Sequence, residues 1–218
     1  MLLEFCNVGK RYHYDEYSVI EQLSFCIEEG EIITILAQMQ SGKSTIAKLI
    51  MGLEECSSGV IYYSGKVLAP STDNGIAYFC DKPLLFENKT VEYNLRYPMA
   101  IRKIDKNVIK LKVEELSKQL GLDLKTKVKK LSHLQKVELS MARSQFRELK
   151  LVIIDSVESE DLLKYYKYAC NKNSAVLILS TRVEQSFGKV YVLKDKKVAF
   201  CGDKQTAKEF IDKELWLQ

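Results

Sequence analysis

The stretch LAQMQSGKST, residues 36–45, places a lysine and two hydroxyls directly after a glycine: Gly42, Lys43, Ser44 and Thr45. That is the end of the phosphate-binding pattern G-x-x-x-x-G-K-[ST]. There the N–H groups of a tight loop cradle phosphates, the lysine reaches the β- and γ-phosphates, and the hydroxyl holds Mg2+. The beginning differs, because the opening glycine is replaced by Ala37, and Gln40 and Ser41 fill the approach to Gly42. Far downstream, the apolar run LVII at 151–154 ends in Asp155. A carboxylate at the edge of a buried strand, beside such a loop, can hold a divalent cation whose other side is held by Ser44. Two readings compete with these: Lys43 as an ordinary surface lysine and Asp155 as the N-cap of a following helix.

These residues need a strand, a loop and a helix to position them. Residues 31–36 form a short β-branched run, and 44–51 read as a helix with Ile46, Leu49 and Ile50 on its apolar face, closed by Gly52. Strands are also predicted at 2–8, 23–27, 60–63, 76–79, 151–154, 175–179, 190–193 and 198–200. Helices are predicted at 91–99, 105–120, 132–148, 159–171 and 206–215. Alternation of strand and helix on both sides of a helical stretch predicts an α/β fold: a largely parallel phosphate-loop core sheet, with a helical subdomain inserted at approximately 84–145. An antiparallel part is expected near the N-terminus.

Composition narrows the classes. A chain of 218 residues is expected to be one domain or one large α/β unit, with 33 Lys and Arg against 29 Asp and Glu for a net +4. That balance is too mild to point to nucleic acid. Tyr12, Tyr14 and Tyr17 are interleaved as base-stacking residues would be, but no basic stripe accompanies them. The six cysteines form no C-x-x-C pair and sit among apolar residues, so buried reduced thiols and a cytoplasmic setting are expected. His13 and His133, the two histidines, have no ligand partner at metal spacing. No apolar run approaches the ~20 residues of a membrane helix, so a membrane role would have to come through a partner. Residues 84–102 carry Leu84, Leu85, Phe86, Val91, Leu95, Tyr97, Pro98 and Met99. They read either as subdomain core or as a groove for a partner's helix.

With these motifs in order, the chain resembles the nucleotide-binding subunits of ABC transporters almost from end to end. NVGKRY resembles the segment whose aromatic stacks on adenine, which gives Tyr12 that role. IAYFCDKPLLFENKTVEYNL is similar to the Q-loop region, LSHLQKVELSMAR to the signature and its helix, and VIIDSVES to the Walker B strand. The resemblance implies ATP and Mg2+ as cofactors, with Ser44 and Asp155 on the metal. As partners it implies membrane-embedded transporter subunits and a second ATP-binding subunit, with the chain peripheral on the cytoplasmic face.

Carried over position by position, the resemblance also implies losses. Asp81 stands for the Q-loop glutamine, Ser156 for the glutamate that polarises water, and Thr181 for the switch histidine. In the signature, Ser132 and Gln135 remain, while His133 and Leu134 replace both glycines. A hydroxyl in place of a positioned base costs about 10²- to 10⁴-fold in rate. Gln40 would be strained by about 1 to 3 kcal/mol if its position needs φ > 0, whereas Ala37 is mild if its φ is negative. The expectation is a degenerate subunit that binds Mg·ATP weakly, hydrolyses it poorly and pairs with a competent subunit, since a homodimer would hold two damaged sites. Two alternatives stand beside it. One is an active ATPase in which Glu158, Asp81 or Arg182 substitutes for the lost groups; the other is a scaffold that binds no nucleotide.

Overall fold

The computed structural model describes residues 1–12, 18–69, 74–157 and 159–214. His13, Tyr14, Tyr17, Glu158 and the expected helix end at Leu215 lie outside the described residues. The chain divides into two compact units, Met1–Tyr78 with Leu149–Gln218 and Phe79–Glu148.

In chain order the first unit contributes β1 (Leu3–Arg11), β2 (Ser18–Ile27), β3 (Ile32–Leu36), α1 (Lys43–Ile50), β4 (Ser58–Tyr63) and β5 (Lys66–Val67). β6 (Ile76–Cys80) begins in it, and after the second unit it resumes with β7 (Leu151–Asp155), α5 (Ser159–Asn171), β8 (Ala175–Ser180), β9 (Lys189–Lys194), β10 (Lys197–Gly202) and α6 (Lys204–Lys213). The second unit carries α2 (Val91–Ile101), α3 (Lys106–Leu120) and α4 (His133–Ala142).

The strands form two sheets. β2-β1-β4-β5 is antiparallel, and β10-β9-β3-β8-β7-β6 is parallel where β9, β3, β8 and β7 pair, with β10 antiparallel on β9. The fold is therefore the α/β class expected, with its antiparallel part at the N-terminus. β7 and β8 are buried at every position, as strands covered on both faces must be, and this explains their unbroken Leu, Val and Ile runs. Register aligns their ends: Leu36 lies opposite Ser180, and Asp155 opposite Leu179. Ala37, Ser156 and Thr181 consequently leave the sheet along one edge, where ligands of open parallel sheets bind.

The first unit's core joins both sheets with α1: Phe5 stacks on Phe25 at 4.4 Å between ring centroids, and Ile46, Ala47, Leu49 and Ile50 of α1 bury against Ile33, Ile35 and Ile153. In the second unit, Val91, Leu95 and Met99 of α2 meet Ile109, Val113 and Leu116 of α3 and Leu139 of α4. Thr90 and Asp105 accept hydrogen bonds from the first turns of α2 and α3.

Several boundaries differ from expectation. The helix expected to reach Glu148 ends at Ala142, because the Ser144 hydroxyl takes the Met141 carbonyl and the chain tightens into three-residue turns. The last helix starts at Lys204, earlier than 206, since Asp203 and Thr206 form a capping box. The cysteines are not deeply buried. Five are half-buried and Cys201 is exposed, because Cys6, Cys26 and Cys201 occupy strand positions between core-facing residues. Among the described residues no helix is long and apolar enough to cross a membrane.

One glycine governs how β9 joins β3. Gly188 has φ +67, and a Cβ there would lie 1.8 Å from the Ile32 carbonyl oxygen, whereas Gly30, at φ +70, has open space around it. Gly30→Ala should cost about 1–2 kcal/mol for the left-handed backbone alone. Gly188→Ala should add about 1–3 kcal/mol of overpacking. Urea denaturation of the two variants measures the difference, and equal losses would contradict this account.

Candidate phosphate-binding site

The site is built where β3 hands the chain to α1. Gly42 is the N-cap of α1 at φ +90, and a Cβ there would come within 3.0 Å of Val19 Cγ1 and 3.2 Å of the Val19 carbonyl, so only glycine fits. No side chain caps α1 and no acidic residue stands in its first turn. Its first N–H groups and the positive end of its dipole are therefore left for an anion. Gln40 sits at φ +62, in the left-handed region, so the strain foreseen for a non-glycine residue applies there. Ala37 is fully buried and lies outside that region, and its N–H donates to the Ser180 carbonyl at 3.1 Å. Ser41 Oγ closes the loop by donating to the Gln38 carbonyl at 2.6 Å.

Lys43 is 6% exposed and donates to the Ala37 and Gln38 carbonyls at 2.8 and 2.6 Å. Burial pushes its ammonium pKa below the ordinary lysine value, and the charge of Asp155 opposes that shift. Lys43 as a solvated surface lysine is thereby excluded.

Asp155 is 3% exposed. Its Oδ2 accepts from Ser44 Oγ at 3.0 Å and from the Tyr78 hydroxyl at 2.9 Å, and its Oδ1 accepts from Ser156 Oγ at 2.9 Å. Ser156 holds φ +54, and its N–H donates to the Leu179 carbonyl at 2.9 Å. The structure thus brings Ser44, Asp155 and Ser156 together across 111 residues of sequence. Tyr78 completes the group and was not foreseen, because no motif or spacing marks a tyrosine on a neighbouring strand.

A cleft of about 350 Å³ adjoins the loop, lined by Val19, Met39, Gln40, Gly42, Lys43, Ser44, Thr45, Ser156 and Thr181. Among the described residues that line it none carries a carboxylate or an imidazole. Beside Thr181, Ser180 Oγ donates to Gln185 Oε1 at 2.7 Å and accepts the Arg182 N–H at 3.0 Å.

Tyr12 lines a different cleft of about 680 Å³, with Arg11, Ser18, Ser58 and Lys197. Its hydroxyl donates to Glu54 Oε1 at 2.9 Å, and Lys10 lies over its ring while pairing with Glu54 at 2.8 Å. The Lys10 hydrogen bond, more than any other contact, lowers the Glu54 pKa.

Asp81 and the segment Ser132, His133, Leu134 and Gln135 belong to the second unit. Asp81 is exposed. Ser132 and Gln135 form the capping box of α4: Ser132 Oγ accepts the Gln135 N–H at 3.2 Å, and Gln135 Oε1 accepts the Ser132 N–H at 3.0 Å. The S-x-x-Q spacing of LSHLQ announces such a box, a signal the motif-based reading passed over. His133 and Leu134 occupy its first turn, with Leu134 45% exposed.

Solved structures share this fold. One is the ATP-binding cassette MJ0796 in a dimeric post-hydrolysis state bound to ADP and Pi, 19% identical over 93% of this chain and 99% of that one, with a TM-score of 0.75. Another is cbiO1 from Clostridium perfringens, part of the ABC transporter complex cbiONQ, 21% identical over 97% and 93%, at 0.76. A third is a nucleotide-free ATP-binding cassette from an ABC transporter, 17% identical over 99% and 97%, at 0.78. The family model described as ABC transporter matches residues 20–158, well over half the chain, and the chain belongs to the ABC transporter family.

Proposed function

We propose that this chain is an ATP-binding cassette that holds Mg·ATP weakly, hydrolyses it poorly on its own, and serves a membrane transport complex beside a competent ATP-binding subunit. The observation that carries the reading is the composition of the phosphate-loop cleft. It offers Lys43, Ser44, Thr45 and an uncapped helix N-terminus to phosphate, whereas among the described residues none that lines it brings a carboxylate or an imidazole to prepare a water.

The residues suit the cofactor. Phosphate fits N–H donors and a buried ammonium. Mg2+ prefers hard oxygen donors, and the Ser44 hydroxyl and Asp155 carboxylate meet at 3.0 Å. When bound, Mg2+ supplies charge neutralisation to the phosphates. Ser44 and Asp155 would hold it, and Lys43 would face the β- and γ-phosphates. Strain at Gln40 makes the loop a weaker cradle than one built on glycine. Ser156 Oγ is directed to Asp155 Oδ1, so its hydroxyl hydrogen is already committed. Thr181, at the cleft's edge, offers only a short hydroxyl where an imidazole would relay a proton.

The partner reading rests on the second unit's surface and on the family. Phe86, Tyr93 and Tyr97 form an aromatic cluster with centroids 4.8 to 5.7 Å apart, each ring more than a third exposed, with Leu84 65% exposed beside it in sequence. An exposed aromatic group of this size suits docking on a membrane subunit. The Clostridium perfringens relative is itself part of a transporter complex. Pairing with a competent subunit follows from Leu134, whose branched side chain in the first turn of α4 would obstruct the N–H groups that a signature glycine leaves open.

Two outcomes are expected. Mg·ATP at 100 times its Kd should stabilise the fold by about 2.7 kcal/mol, read as a melting shift that Lys43→Ala abolishes. No shift in either protein would leave the scaffold reading in its place. In the assembled complex, changing His133 and Leu134 together to glycine should raise ATPase activity by freeing backbone N–H groups toward the partner's γ-phosphate. A fall in that activity would contradict the transporter-subunit reading.

A further inference from the structure

The Asp155 carboxylate has one hydrogen-bond partner that no phosphate-loop motif supplies. Tyr78 projects from β6, the strand beside β7 in the sheet, and its hydroxyl donates to Asp155 Oδ2 at 2.9 Å. The Tyr78 ring is half-buried and packed against the first unit's core, so packing fixes where the hydroxyl lies. Ser44, the other donor to Oδ2, is exposed. Ser156 engages only Oδ1.

A carboxylate oxygen accepts in about two lone-pair directions, and Ser44 and Tyr78 fill both on Oδ2. Ser44 can serve as a ligand through an Oγ lone pair while its hydrogen stays on Oδ2, so Tyr78 is the donor to Oδ2 whose place is set by core packing and not by the cation. Hydrogen bonds of this outer kind set the orientation of carboxylates that bind metals, and losing one typically costs about 10- to 100-fold in metal affinity.

We propose that Tyr78 is a positioning residue for divalent-metal binding at Asp155: its hydroxyl anchors the carboxylate so that Asp155 and Ser44 together receive the cation that accompanies the nucleotide. This rests on the Mg·ATP reading above. In this proposal Tyr78 acts through Asp155 and is not itself a metal ligand.

The test uses the whole chain and binding as its readout, not turnover. ATP affinity is measured calorimetrically in EDTA and across a Mg2+ titration, for the native protein and for Tyr78→Phe, which keeps the ring and removes one oxygen. The Mg2+ concentration that half-maximally tightens ATP binding should rise about 10- to 100-fold in Tyr78→Phe, while affinity in EDTA stays unchanged. An unchanged or lower Mg2+ requirement overturns the proposal. So does an equal loss in both buffers, which would mark Tyr78 as merely structural. If native protein binds ATP with no response to Mg2+, the Mg·ATP reading itself fails and takes this inference with it.

Discussion

A charged carboxylate that is 3% exposed has to be satisfied by the protein, because an ion taken out of water without partners costs more than a domain can spare. Asp155 meets this demand with three hydroxyls, from Ser44, Tyr78 and Ser156. Each comes from a different stretch of chain, so the interaction ties the loop-to-helix junction at α1, strand β6 and the end of β7 to a single point. The sheet register that sets Asp155 opposite Leu179 and Leu36 opposite Ser180 delivers the donors to the same edge. In the proposed reading, a carboxylate held in this way receives a cation without moving its backbone.

Lys43 is the complementary constraint. Its buried ammonium is held by two loop carbonyls and by the attraction of Asp155, while burial draws its pKa down. The lysine and the left-handed residues Gln40 and Gly42 shape the loop together. In the proposed reading these features serve phosphate and metal binding, whereas turnover needs a further group that can take a proton from water. Binding and hydrolysis therefore rest on different residues. A chain can keep the first set, since it is also structural, after the second has changed.

The core of this arrangement was legible in the sequence for physical reasons. The runs IITIL, LVIID and AVLILS are apolar throughout because a doubly covered parallel sheet leaves no solvent face, and GKS after the first of them marks the turn into α1. Family resemblance added the signature and Q-loop positions. Tyr78 was not legible, because its bond to Asp155 spans 77 residues and depends on which strands become neighbours. The engagement of Tyr12 with Glu54 and Lys10 was hidden for the same reason. Helix ends were misplaced where a local hydroxyl decided the matter, as with Ser144 after α4 and Asp203 before α6.

The central claim is that the site binds its nucleotide but hydrolyses it poorly, and the most direct measurement is the chemical identity of bound nucleotide within the time a competent cassette would need for many turnovers. Purified chain is incubated with radiolabelled ATP and Mg2+, separated from free nucleotide, and the bound fraction is resolved chromatographically. The account predicts label recovered as ATP, absent from a Lys43→Ala variant. Recovery as ADP and phosphate, lost in Lys43→Ala, would show that this cleft hydrolyses ATP and would contradict it.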